Sequence, residues 1–297
     1  MSASLIIKYV LIVLCSYFIG NISFARIISK INKSDITKKG SGNPGTMNML
    51  RNYGIKLGAL TLILDVLKGA IPSLCGVLLL GGFNTVGGTE GLYIAGFSVV
   101  LGHIYPVCYK FKGGKGIACA LGVFLIADPL WLLLFFIVAF VYLWFFDYGS
   151  VASLTVVSAL TIIQGIKNYG NLTISLLLYT MFILTLFAHR QNIFRLLVGK
   201  ENKANLQKSI KKKFNKQKSE IKQEYKETKS EIKQEFKEDK LKYKDDKQKL
   251  KLERKKYQTE KRIIKSNYKQ KKLRVYNYAN VLETVNTVEE DDHKDNE

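Results

Sequence analysis

Residues 1 to 199 form a succession of long apolar runs, and no other feature limits the fold of this chain so strongly. A bilayer core about 30 Å thick takes about 20 apolar residues in a helix to cross, because only a helix satisfies its backbone internally there. Stretches near 5–28, 57–80, 91–108, 116–127, 130–146, 151–166 and 172–188 each read as a membrane helix. The segment 116–127 is short, but fusing it with the next would need one helix about 46 Å long, so Asp128-Pro129 reads as a break. The opening stretch reads as a first span and not a cleaved signal, since no small-residue cleavage pattern follows it.

Basic residues in short loops set the orientation of such a bundle. Lys30, Lys33, Lys38, Lys39, Arg51 and Lys56 follow the first span, whereas the loop from Gly81 to Gly91 holds only Glu90. The first loop is therefore expected in the cytoplasm, with Lys110, Lys112 and Lys115 and later Arg190 and Arg195 on the same side. An even number of crossings must separate those inside points. The resulting fold class is all-α, a polytopic bundle of seven transmembrane helices with its amino terminus outside.

After Gly199 the composition changes, which the mean hydropathy of +0.04 conceals. Residues 1–199 carry 15 Lys/Arg and 5 Asp/Glu, and residues 200–297 carry 30 and 19. The chain is read as a membrane domain over 1–203 and a charged cytoplasmic tail over 204–297. An 11-residue echo, KSEIKQEYKET from Lys218 and KSEIKQEFKED from Lys229, repeats the pairs Ile221/Tyr225 and Ile232/Phe236. That period keeps one stripe aligned on a helix, so a long charged helix is predicted from about 206 to 275. The stripe suits self-association or the tail suits anionic lipid, and the acidic end, Glu289 to Glu297, is read as disordered.

A net charge of +21 suits anionic lipid or phosphorylated substrates; with most of the first half in lipid, nucleic acid is not an expected partner. Cys15, Cys75, Cys108 and Cys119 lie in apolar stretches without metal-ligand spacing and read as buried free thiols. No metal and no cofactor is indicated.

Chemistry concentrates in three polar clusters at the inferred inner rim. In GSGNPGTMNMLR, the glycines Gly40, Gly42 and Gly45 permit unusual backbone angles, and Ser41, Asn43, Asn48 and Arg51 supply donors; a guanidinium can hold two phosphate oxygens together. In GHIYPVCYKFKGGKG, residues Gly113, Gly114 and Gly116 beside Lys112 and Lys115 read as a nest of N–H groups for an anion. Gly116 and Ile117 after Lys115 exclude a Walker loop. In HRQNIFRLLVGKE, His189 and Asn192 share a helix face and Arg195 follows. Asp65 and Lys68, buried in the second span, read as a structural ion pair beneath the site.

These three motifs, in order and spacing, resemble the membrane-bound acyl-phosphate:glycerol-3-phosphate acyltransferases, the PlsY family, over roughly residues 5–201. LDVLKGAIP in the second span is similar as well. The chain departs from the family at Thr46-Met47-Asn48, at Thr37 and at Ser23, where the family more often has Ala-Thr-Asn, Arg and Pro. The resemblance implies seven spans and a cytoplasmic active site in the cell membrane. It implies that Arg51, Lys115, Ser41 and Asn192 hold glycerol 3-phosphate with His189 near its hydroxyls, while the glycine loop and Lys112 take the acyl phosphate. Gly40, Gly42, Asn43, Asn48, Gly113, Gly114, Gly116 and Arg195 complete the substrate-binding set. Either the substrate's own phosphate or His189 then removes the proton.

The partners so implied are acyl phosphate, glycerol 3-phosphate, membrane lipids and the soluble enzyme that makes the acyl phosphate. A His-x4-Asp acyltransferase is excluded, because Cys108 and Phe194 stand five residues after His103 and His189, and nothing stands five after His293. An organic-phosphate transporter, or a membrane anchor for the charged tail, are the alternatives from other functional classes.

Overall fold

The computed structural model describes residues 2–292, with side chains to residue 275. It is all helical, with no strand among the described residues. The chain divides into two compact units, Met1–Leu206 and Gln207–Glu297. In the first, the helices are α1 (Ala3–Asn21), α2 (Phe24–Ile31), α3 (Thr46–Leu79), α4 (Val86–Ile104), α5 (Ile117–Ala127), α6 (Pro129–Phe146), α7 (Gly149–Lys167), α8 (Leu172–Ala188) and α9 (Arg190–Leu197). Five helical segments are long and apolar enough to cross a membrane, six if the bent pair α8–α9 counts as one span, and α5 is a shorter apolar helix.

The predicted first span is not one straight helix. It breaks at Ile22-Ser23, where Lys68 Nζ donates to the Ile22 carbonyl at 2.6 Å and Asn21 Nδ2 donates to the Tyr17 carbonyl at 2.7 Å. Those side chains take backbone acceptors near the break, and Ser23 is extended. Further along, α3 is interrupted at Gly54, whose φ of 82° no helix supports.

The core gathers round α4, which packs against α1, α3, α5 and α8. Tyr93, Val99 and Val100 of α4 meet Phe124, Leu160, Leu178 and Met181, all buried. The short α5 lies close on α3 because Gly69 and Gly122 have no side chain; a Cβ on Gly69 would stand 2.1 Å from the Cys119 carbonyl oxygen. At the α5–α6 junction Asp128 pairs with Lys167 and accepts from Gln164 Nε2 at 3.2 Å, which compensates its burial. By contrast, α6 is apolar all round and buries only Leu132, the surface of a helix that faces lipid. Of the thiols, only Cys119 is buried; Cys15, Cys75 and Cys108 are exposed from the chain, against the expectation for all four.

In the second unit the predicted single helix is two. Helix α10 (Leu206–Lys242) and helix α11 (Lys247–Asp292) form an antiparallel hairpin, turning at Tyr243 to Asp246. Tyr225 stacks on Tyr268 at 4.3 Å and Phe236 on Tyr257 at 4.5 Å, so the 11-residue period of α10 meets an 11-residue spacing in α11. Folding back removes that stripe from water, which one isolated helix could not do. The acidic stretch predicted to be disordered is helical as far as Asp292, and its last residues lie outside the described ones.

Candidate active site

A cavity of about 720 Å³ opens where the α2–α3 loop, the α4–α5 loop and the start of α9 meet. Six cations line it, Arg26, Lys110, Lys112, Lys115, Arg190 and Arg195, and no Asp or Glu does. Ser41, Gly42, Asn43, Thr37, Gly113, Gly114, Gln191 and Asn192 complete most of the polar wall. Such a wall recognises multiply charged anions such as phosphates.

The α4–α5 loop is shaped from below by α4. Gly113 N donates to the Ile104 carbonyl at 3.1 Å and Gly114 N to the His103 carbonyl at 3.0 Å. A Cβ on Gly114 would fall 2.1 Å from His103 Nε2, so only glycine lets the loop lie on that ring. These two amides therefore point into the protein, and the predicted nest is not formed by them; the glycines act by close approach. From the other side, Arg26 Nη2 donates to the Lys112 carbonyl at 2.8 Å and its guanidinium lies 4.6 Å over the Tyr109 ring.

Under this floor lies the Asp65–Lys68 ion pair, 2.8 Å long and almost fully buried. Lys68 holds the α1–α2 break, which carries Arg26, while Asp65 lies 3.9 Å from His103 Nδ1. The ion pair beneath the site is the one the sequence predicts, and Lys68 ties it to the α1–α2 break.

The third wall is organised by Glu201. Its Oε1 accepts from Ser150 Oγ at 2.9 Å and from Asn192 Nδ2 at 2.5 Å, and its Oε2 accepts from Arg195 Nε at 3.0 Å. Burial opposes the carboxylate charge, but these hydrogen bonds outweigh it and hold the carboxyl below its usual range. With Nδ2 fixed on Glu201, Asn192 presents Oδ1 to Lys115 Nζ, and the two are hydrogen bonded. Burial pushes the Lys115 ammonium down to about 8, Arg195 and Arg51 push the same way, and Glu201 resists.

The family model described as glycerol-3-phosphate acyltransferase matches residues 10–199. The chain belongs to the glycerol-3-phosphate acyltransferase family. It is 42% identical to the glycerol-3-phosphate acyltransferase of Finegoldia magna over 188 residues, covering 63% of this chain and 91% of that one. It is 40% identical to that of Syntrophotalea carbinolica over 199 residues, 66% of this chain and 97% of the relative. A crystal structure of PlsY (YgiH), an integral membrane glycerol 3-phosphate acyltransferase, in its glycerol 3-phosphate form, superimposes with a TM-score of 0.59 at 36% identity. That match covers 66% of this chain and 94% of the other, and the lysophosphatidic acid form gives 0.58 at 35%, covering 68% and 98%. The chain is accordingly an integral membrane acyltransferase of this family.

Of the residues singled out in the sequence, the acyltransferase brings Ser41, Gly42, Asn43, Lys112, Gly113, Gly114, Lys115, Asn192 and Arg195 to one cavity. Five others stand behind the wall. Asn48 is buried and organises the first loop, accepting from Ser41 N at 3.2 Å and donating to the Lys39 carbonyl at 2.9 Å. Gly40 turns beside it with φ 54°, and Gly116, with φ 84°, starts α5. Arg51 directs its guanidinium to the carbonyls of Lys203 and Asn202, at 2.8 and 3.0 Å, and not into the cavity. His189 is buried at the α8–α9 bend, with Nδ1 2.8 Å from the Thr185 carbonyl oxygen.

Sequence reasoning missed Arg26, Arg190, Gln191, Thr37 and Glu201. Arg26 was legible as a cation inside an apolar run, which lipid would penalise. Glu201 was legible as the lone acid closing the third motif.

Proposed function

We propose that the acyltransferase moves the acyl group of an acyl phosphate to the sn-1 hydroxyl of glycerol 3-phosphate. The products are lysophosphatidic acid and inorganic phosphate, the first committed acylation of phospholipid synthesis. The observation that carries this reading is the single cavity walled by six cations and no carboxylate, in which all three sequence motifs take part.

An acyl phosphate already has a good leaving group, so the protein has to position two phosphates and a hydroxyl, and positioning alone supplies much of a rate. Ser41, Lys115, Asn192 and Arg195 hold glycerol 3-phosphate, with Arg51 drawn in from the Asn202 and Lys203 carbonyls. Lys112 and Arg26, beside the close-lying Gly113-Gly114 turn, hold the acyl phosphate. The hydroxyl oxygen attacks the carbonyl carbon, the bond from that carbon to the phosphate oxygen breaks, and phosphate departs. Cations stabilise the negative charge that develops on the carbonyl oxygen. His189, whose Nδ1 is held by the Thr185 carbonyl, stands behind the cavity wall, and the proton passes to a phosphate oxygen of the substrate.

The same reading has the chain multi-pass in the cell membrane, with α1–α2, α3, α4, α5, α6, α7 and α8 as seven crossings. The amino terminus is outside and the cavity faces the cytoplasm, supported by the basic loops. Residues 1–203 form the acyltransferase domain and 204–297 a cytoplasmic tail. A soluble enzyme that makes acyl phosphate delivers the donor to the inner face.

The test offers purified protein acyl phosphate, acyl-CoA and acyl carrier protein thioester in separate reactions with glycerol 3-phosphate. Only acyl phosphate should yield lysophosphatidic acid, with one phosphate released per product. Equal use of a thioester donor would refute the proposal.

A further inference from the structure

The family match ends at residue 199, yet the chain continues into a folded hairpin whose two helices are unlike. Helix α10 mixes Lys with Glu from Glu220 onward. Residues 247–275 of α11 carry 13 Lys/Arg and only 2 acids, Glu253 and Glu260. Both acids are half-buried in the hairpin, as are Tyr257, Ile264 and Tyr268 against α10. Over residues 247–275 the fully exposed charges of α11 are therefore all cations.

That same face is not wholly polar. Leu252, Ile263 and Leu273 are 65%, 53% and 47% exposed, although the aromatic stripe a few residues away is packed. At 100° per residue the three fall within an arc of about 80°. Lys255, Arg262 and Lys269 border that arc, whereas Lys256 turns to Glu235 of α10 at 3.4 Å. Aliphatic side chains standing among cations, with no acid between them, suit the boundary between anionic headgroups and acyl chains. Nucleic acid would use the cations but not the aliphatic residues. The stripe that suited self-association is already covered within the hairpin.

We infer that the outward face of α11, marked by Leu252, Ile263 and Leu273, docks on an anionic bilayer surface, with phosphatidylglycerol-rich membrane as the partner. Connectivity favours this occupant, because α10 begins only nine residues after the end of α9 in an integral membrane protein. The inference concerns the tail alone and holds or fails independently of the acyl donor.

The experiment places full-length protein, one copy per nanodisc, in phosphatidylglycerol or in phosphatidylcholine and follows hydrogen–deuterium exchange. Amides of residues 251–274 should exchange at least about fivefold more slowly in phosphatidylglycerol. The difference should vanish in 1 M salt, where charges are screened beyond about 3 Å. It should also vanish in Leu252→Glu/Ile263→Glu and in Lys255→Glu/Arg262→Glu/Lys269→Glu, with α10 exchange unchanged to show that the hairpin persists. Equal exchange in the two lipids would overturn the inference. Protection confined to discs holding two copies would overturn it too, assigning the face to self-association.

Discussion

Lys115 Nζ donates to Asn192 Oδ1, and this contact joins the glycine loop before α5 to the first turn of α9. Because Glu201 fixes the other end of the Asn192 amide, a carboxylate outside the cavity sets the position of a cation inside it.

The first consequence concerns pH. Lys115 is depressed to about 8, so it is a cation below that pH and loses its charge as pH rises through it. With an ammonium needed for phosphate, kcat/KM for glycerol 3-phosphate should fall about tenfold per pH unit above about 8. Lys115→Arg should abolish that limb even if its overall activity is low. A flat profile to pH 9.5 would remove Lys115 from substrate binding.

Glu201→Gln keeps the shape and removes the charge that holds Asn192 and Arg195. Loss of such charge-assisted hydrogen bonds is worth about 1.5–3 kcal/mol, or about 10- to 100-fold in kcat/KM. Steady-state kinetics in detergent would measure this, and Ser150→Ala should cost less, since Asn192 and Arg195 would still hold the carboxylate.

His189→Gln should leave kcat at saturating substrate within about tenfold of the parent, since His189 does not line the cavity. A general base contributes about 10²–10⁴ in rate, so a loss of that size would restore His189 as the base.

Breaking the Asp65–Lys68 pair leaves one buried charge alone. Lys68→Met should destabilise the protein by about 3–5 kcal/mol, and Asp65→Leu/Lys68→Met should recover much of it. Thermal unfolding in detergent would show the order of the three proteins.

How far the sequence disclosed this arrangement depended on the kind of signal. Every predicted apolar segment is helical for most of its length, because exclusion from water is written in long uniform runs. The break of the first span at Ile22 was hidden, since the side chain that makes it, Lys68, comes from another helix. The hairpin turn at Tyr243 to Asp246 has neither Gly nor Pro to announce it, and the pairings of Tyr225 with Tyr268 and of Phe236 with Tyr257 reveal it. In the site, residue type singled out three loops that meet at one cavity. It could not separate Ser41, which faces the cavity, from Asn48, which holds the loop that carries Ser41.

The convergence of three motifs on one cavity is tested most directly by single cysteines at Asn43, Lys110 and Gln191, each probed with a membrane-impermeant thiol reagent in oriented vesicles. All three should label only from the cytoplasmic side and more slowly with glycerol 3-phosphate present. Labelling of any one from the opposite side would contradict a common cavity and the acyl transfer built on it.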